Sequence, residues 1–450
     1  MPAPGVTRRP GLPVPCVQGV QFGARRELAR QISEALKPSE RLLIELIKPR
    51  EAQDAAPGVP PHPPWPASEW EHLNSVMQST GLFARMAQRV KLLRTAAIPE
   101  GMIQCWQGLR LQRAVQNLLL LKEEVSLLHA LHEQGMGAIP IKGVSLARIL
   151  HADPAARFCS DLDLMVRAGD VARAGAVLEQ HGYTTRMPRA LLRLPFFLQS
   201  ADEHTSEVVY VKRASDARPL VELHWRPLAL PEETMWQTLG SYETEPGSAS
   251  IRTLGPEVYL LLLCGHVSGH GWAGLRWLCD AADFLARFSD RIDAGRFVSL
   301  CGQAGLRHRA GVTLLLVEAY FGMHWPAAEP LLGFRAERDA RKFLRRPLAG
   351  HAPVDLAEIH LERLRLQDST TRRLQYLAWL LGPTHTEFTE SRPVGEAAEA
   401  PIRSAGKARV LRWWRLAGMV SPARVFRLLR PQDAGRGISA AHTGRGDQVP

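Results

Sequence analysis

The sequence predicts an α+β protein in which a small mixed sheet lies between two helical regions. Three observations carry this expectation. Apolar residues recur at helical spacing over residues 25–135 and again over 257–321. Between 138 and 225 the period shortens to apolar runs and strict alternation, the pattern of strands. A proline-dense stretch at 55–66 (AAPGVPPHPPWP) detaches the first helical segment from the rest of the chain, because such density enforces extended backbone.

In chain order, residues 1–22 read as a disordered leader. A helical pattern at 25–47 (Leu28, Ile32, Leu36, Leu42, Leu43, Leu46) is broken at Pro38, so residues 1–66 form a leader and linker with one interrupted helix. Ser68 and Glu71 have capping-box spacing and open the N-terminal helical region, 67–135. It ends in a long helix, 111–132, whose dense leucines imply packing on more than one side. Gly135 and Gly137 stop it.

The core, 136–228, then reads as strand 138–141, helix 144–150, strand 160–166, helix 170–181 closed by Gly182, and a hairpin of 207–213 with 220–225 about a turn at 214–217. The helical period is expected to return after Trp236, giving a C-terminal helical region at 250–381 (257–270, 275–288, 296–304, 312–321 and a polar stretch to 381). A loop at 384–405, a basic amphipathic segment at 406–430 and a disordered tail at 431–450 complete the chain.

Composition narrows the function. Of the net charge of +11, residues 401–450 carry ten basic side chains against Asp433 and Asp447, so the other four hundred residues hold only about +3. Eight lysines against 48 arginines indicate a general arginine bias rather than a phosphate-tracking surface, which argues against nucleic acid as a partner. The six cysteines form no CxxC pair and sit mostly in apolar segments, as buried free thiols do. No apolar run reaches the ~20 residues that span a bilayer, and a soluble, cytoplasmic protein is expected. Within 410–430 (VLRWWRLAGMVSPARVFRLLR), arginine beside tryptophan and leucine suits either a membrane interface or a helix packed on the body.

The chemistry concentrates in the core. In Ser160-Asp161-Leu162-Asp163-Leu164-Met165-Val166 the two aspartates share one strand face. Paired carboxylates repel unless a cation lies between them, and such oxygen sites suit Mg²⁺ or Mn²⁺; the alternative is an edge strand with a solvated acidic face. In Val221-Glu222-Leu223-His224-Trp225, Glu222 and His224 share a face, so a neighbouring position would bring three carboxylates together; otherwise Glu222 is a solvent-face glutamate. Lys142-Gly143 stands at a strand-to-helix turn, where backbone N–H groups and an ammonium can hold phosphate.

With these motifs (IPIKGVSLARIL, FCSDLDLMV after Arg157, HGY and VELHW) the chain resembles the nucleotidyltransferase-fold superfamily, and within it a bacterial group of largely uncharacterised nucleotidyltransferases whose phosphate loop reads Lys-Gly instead of Gly-Gly or Gly-Ser. The likeness spans about 70–330. It implies Asp161 and Asp163 as metal ligands with Glu222 as the third carboxylate, and Mg²⁺ (or Mn²⁺) as cofactor. Lys142, Gly143 and Arg157 then face the triphosphate, although Arg157 also reads as a loop arginine. His224, His266 and Asp280 are candidates for an acceptor pocket. His266 and His270 have metal-ligand spacing, but no HExxH accompanies them and the flanking glycines suit close helix packing. No Ser-His-Asp triad or dinucleotide-binding glycine fingerprint is present.

The expected function is metal-dependent transfer of a nucleoside monophosphate from an NTP to an acceptor hydroxyl. A nucleotide-binding regulator of the same fold without turnover, phosphate transfer by the same metals, and a helical adaptor are the alternatives.

Overall fold

The computed structural model describes residues 18–49, 65–86, 99–193, Leu198, 206–212, 220–244, 250–349 and 356–381, with isolated gaps inside these stretches. The proline-rich linker up to residue 64, the turn at 214–217, the loop at 384–405, the segment at 406–430 and the tail lie outside the described residues.

Two short helices open the described chain, α1 (Gln18–Ala35) and α2 (Pro38–Ile47). Pro38 at the start of α2 makes the expected break, since its fixed φ begins a helix but cannot continue one. Residues 18–22, expected in the leader, are helical: buried Leu28, Ile32 and Leu36 anchor α1, and elongation of an anchored helix is favourable where no proline intervenes. Helix α3 (Ala67–Thr80) starts one residue before Ser68, with the extended Pro66 as its N-cap and no side-chain cap. The anticipated capping box does not form.

Helix α4 (Glu100–Glu133) is longer than its leucine pattern marks, and it packs on one face only among the described residues. Trp106, Leu120, Leu127 and Leu131 are buried, whereas Leu111, Val115, Leu118, Leu119 and Val125 are exposed. A helix of 34 residues is about 50 Å long, more than the short-stranded sheet beneath it spans. Gly135 (φ +72°) ends it, as the sequence indicates.

The core sheet has the strand order β1 (Ile139–Pro140), β2 (Asp161–Met165), β5 (Leu220–His224), β4 (Glu207–Lys212), β3 (Tyr183–Thr185). Strands β2 and β5 are parallel, and the remaining pairs are antiparallel. Helix α5 (Gly143–Leu150) follows β1, and α6 (Val171–Gln180) connects β2 to β3. Strand β3 is too short to read from sequence. Strand β2 is flanked by β1 and β5, so its acidic residues do not lie on a solvated edge; Asp163 is 2% exposed.

After α7 (Glu232–Gln237) the chain forms a second, two-stranded sheet, β6 (Leu239–Glu243) with β7 (Ser250–Leu254), where the sequence suggested helix. Tyr242, Ile251 and Leu254 turn inward, and Thr253 Oγ1 donates to the Pro140 carbonyl, fastening this hairpin to β1. Helices α8 (Pro256–Gly269), α9 (Leu275–Phe288) and α10 (Ala294–Ala304) then follow close to the expected positions, α11 (Arg307–Phe321) starts five residues earlier than expected, and α12 (Phe334–Lys342), α13 (Leu356–Arg365) and α14 (Thr370–Leu381) lie beyond.

Two apolar clusters hold this arrangement. One joins the sheet to α4 and α6. The other unites α1–α3 with α8–α11, so the two helical regions, remote in sequence, share a single core. A buried Arg85–Asp283 pair ties the first region to α9, with Arg85 Nη2 2.7 Å from Asp283 Oδ1. The described cysteines are free thiols, four buried and Cys105 exposed. No described helix is long and apolar enough to cross a membrane.

Candidate active site

The site is built by three neighbouring backbone segments. Alternation along β2 puts Leu162 and Leu164 into the sheet's apolar cluster and leaves Asp161 and Asp163 facing a cavity of about 500 Å³. Strand β5 lies beside β2 in a register that sets Asp163 directly opposite Glu222. Glu222 and His224, on the same face of β5, join that cavity. Ile141 N–H donates to the Asp163 carbonyl at 3.0 Å, which delivers the next residue, Lys142, to the carboxylates.

Lys142 Nζ lies 2.6 Å from Asp163 Oδ1 and 3.8 Å from Glu222 Oε2. His224 Nε2 is 3.1 Å from the same Asp163 oxygen and 3.6 Å from Glu222. Burial opposes charge on Asp163, but the Lys142 ammonium and the bond from His224 hold its carboxyl well below the usual carboxylate range. Burial likewise opposes charge on His224, yet its bonds to Asp163 and Glu222 raise it to about 9, so it is an imidazolium at neutral pH. Asp161 is pushed up, by burial first and then by the neighbouring Asp163.

Glu207, on β4 opposite His224, completes the acidic rim; its Oε2 is 3.4 Å from His224 Nδ1. Burial raises its carboxyl. Sequence reasoning passed over Glu207, although a turn at 214–217 already implies its pairing with His224.

Gly143 follows with φ +56°, and a Cβ there would stand 3.0 Å from the Asp161 carbonyl and 3.7 Å from Asp163 Oδ2. Only glycine lets the turn approach the acidic strand this closely. Arg157 lines the cavity, but its fork is engaged: Nε and Nη2 donate to Asp280 at 2.9 and 3.0 Å, and Nη1 donates to the Gly143 carbonyl at 3.1 Å. Asp280 accordingly faces Arg157 and is not on the cavity wall.

The opposite wall comes from α8 and α9. His266 and His270 line it; His270 stacks on Trp277 at 3.9 Å between ring centroids, and His266 meets the same indole edge-on. Burial pushes the His266 imidazole well below its ordinary value, so it is neutral. The two histidines thus serve as ring surfaces, and among the described residues the group able to hold a metal is Asp163, Glu222 and His224. Arg276, beside them, lies over the rings of Phe158 and Trp277 at 5.1 and 4.8 Å and has no carboxylate within ion-pair distance among the described residues. The sequence offered no signal for Arg276, one arginine among 48.

Residues 66–322, more than half of the chain, match the family described as "Uncharacterised nucleotidyltransferase". The chain belongs to this family. No curated protein shows a significant match to the chain. The nucleotidyltransferase domain therefore covers the N-terminal helices from α3, the mixed sheet and the helices through α11, and the carboxylate cluster lies at its centre.

One ligand atom from each of Asp163, Glu222 and His224 lies within 4.8 Å of the others. Asp163 and Glu222 offer the carboxylate oxygens that Mg²⁺ or Mn²⁺ takes, while His224, as an imidazolium, bonds to those carboxylates and does not ligate. The cluster's need for positive charge is visible in the Lys142 ammonium held among its carboxylates. The donor set fits a metal.

Proposed function

We propose that this nucleotidyltransferase transfers a nucleoside monophosphate from an NTP to an acceptor hydroxyl, with release of pyrophosphate. The observation that carries the reading is the register of β2 with β5, which stands Asp163 against Glu222 beside Asp161 at the Lys-Gly turn. Asp161, Asp163 and Glu222, with His224 beside them, would hold Mg²⁺ or Mn²⁺, which supplies charge neutralisation of the phosphates and activation of the acceptor oxygen.

The chain's own residues supply the rest. The α5 N-terminus after Gly143 and the Arg276 guanidinium, which borders the same cavity, would meet the triphosphate, where negative charge moves onto the leaving pyrophosphate. Glu222, or Glu207 with its raised carboxyl, both on the cavity wall, would take the acceptor's proton. The ring wall of Trp277, His270 and Phe158 offers a stacking surface to a base or to the acceptor.

A nucleotide-binding regulator without turnover is the second reading. It is favoured by Lys142, which already neutralises the carboxylates. The test is pyrophosphate release by the full chain with each of the four NTPs, Mg²⁺ or Mn²⁺, and a panel of hydroxyl acceptors. Release that disappears in the Asp161→Asn/Asp163→Asn double variant supports transfer. Undiminished release in that variant refutes the site assignment, and tight NTP binding without release under any condition favours the regulator.

A further inference from the structure

Among the described residues, the cation that stands in the carboxylate cluster belongs to the chain itself. Lys142 Nζ is 2.6 Å from Asp163 Oδ1, and His224 Nε2 is 3.1 Å from the same oxygen. One carboxylate oxygen from each strand, Asp163 Oδ1 and Glu222 Oε2, lies within 4.0 Å of that ammonium. The Lys142 side chain is 11% exposed, so water screens this pair little.

We propose that Lys142 is a displaceable resident counter-ion, so that the site takes up a divalent cation together with the phosphates of a nucleotide and only poorly by itself. The inference rests on the nucleotidyltransferase reading above and adds to it an order of binding.

The argument is one of charge. A divalent ion drawn to Asp163 and Glu222 meets an ammonium already held against both carboxylates. Like charges at that separation repel strongly in a site of low dielectric constant. The ion can enter only if the ammonium leaves, and an ammonium that leaves into a buried wall without a partner is costly. Phosphate oxygens in the adjoining cavity are such a partner.

Lys142 is built for this movement. It stands at the N-cap of α5 (φ −147°, ψ −135°), where its main chain is fixed by β1 and the Gly143 turn while its four-carbon stem borders the cavity. Exchange of the ammonium from carboxylate to phosphate keeps every charge paired before and after. Metal and nucleotide affinities are then thermodynamically coupled, each strengthening the other by the same factor. Phosphate oxygens that ligate the metal couple the two affinities as well, so the share due to Lys142 is the part that changes when its charge is removed.

The test measures Mn²⁺ binding to the full chain by the electron paramagnetic resonance signal of free Mn²⁺, with and without a non-hydrolysable α,β-methylene NTP. In the native protein the analogue should tighten Mn²⁺ binding at least about tenfold. Lys142→Met, which removes the charge and keeps the bulk, should bind Mn²⁺ alone at least about tenfold more tightly than the native protein and gain less from the analogue. Without metal it should melt lower than the native protein, and Mn²⁺ should restore its Tm.

Equal Mn²⁺ affinity of native protein and Lys142→Met overturns the proposal. So does native Mn²⁺ affinity indifferent to the analogue, a measurement that stands even if Lys142→Met does not fold. In both cases bound Mn²⁺ and bound analogue leave the nucleotidyltransferase reading intact. Failure of the native protein and the variant to bind Mn²⁺ under any condition sinks that reading along with the proposal.

Discussion

Arg157 and Asp280, 123 positions apart, form a bidentate pair that joins the loop before β2 to helix α9. Their side chains are 12% and 6% exposed, and the third branch of the guanidinium holds the Gly143 carbonyl. One arginine therefore positions both the acidic strand and the Lys-Gly turn.

Removal of that arginine should first be felt as lost stability. Arg157→Ala leaves Asp280 buried without its partner, which costs about 3–5 kcal/mol and should show as a large drop in the urea midpoint. Arg157→Lys should restore little, because one ammonium cannot replace a two-pronged bond plus a contact to Gly143. A normal midpoint in Arg157→Ala with a raised KM for NTP would instead make Arg157 a phosphate ligand.

Gly143 tests the geometry of the turn. Alanine there must adopt φ +56° with its Cβ 3.0 Å from the Asp161 carbonyl. The left-handed conformation alone costs roughly 1–2 kcal/mol, and relief of the contact moves Asp161. Gly143→Ala should lower both the Tm and transfer. Unchanged values for both would mean that the turn relaxes freely and does not set the strand's position.

Arg276 should behave in the opposite way to Arg157. It rests on two aromatic rings and makes no ion pair among the described residues, so Arg276→Ala should cost only about 1 kcal/mol of stability, well below the loss in Arg157→Ala. Loss of a charge-assisted contact to phosphate should raise the KM for NTP by about tenfold or more, read by steady-state kinetics. A KM equal to that of the native protein removes Arg276 from the nucleotide site.

Glu124 predicts a pH dependence separate from catalysis. It is 1% exposed in α4, accepts from Ser145 Oγ of α5, and its other oxygen has no partner. Burial pushes its carboxyl from 4.5 up to about 7. The folded protein therefore holds a proton that the unfolded chain has released between those values. Its contribution to stability is complete below pH 4.5 and is lost as pH rises to about 7, with little change above. The loss is on the order of 3 kcal/mol. Glu124→Gln should abolish this slope and unfold at a higher urea concentration than the native protein at pH 8; identical profiles would refute the account.

Much of the site was legible because alternation on a strand is a local property. The spacing of Asp161 from Asp163, and of Glu222 from His224, is enough to send each pair to one face. Gly135 and Gly182 mark helix ends by the same local logic, and both adopt positive φ. Local patterns misled where burial elsewhere decided the outcome. The leucines of α4 outnumber the positions its neighbours cover among the described residues, and 239–243 pairs with 250–254 as strands, with Thr253 bonded to the Pro140 carbonyl of β1.

By itself, then, the sequence determined which side chains share a face on β2 and β5, where Gly135 and Gly182 end their helices and where the longer helices run, since each follows from backbone geometry over a few residues. Only the tertiary structure decided which faces meet. The adjacency of β2 and β5 brings His224 to Asp163 across 61 positions, and packing of α9 on the core takes Arg157 for Asp280. It likewise turns Lys142 onto Asp163 and joins the two helical regions in one core. Such pairings depend on how every apolar face of the chain is buried at once, and no short window of sequence carries that information.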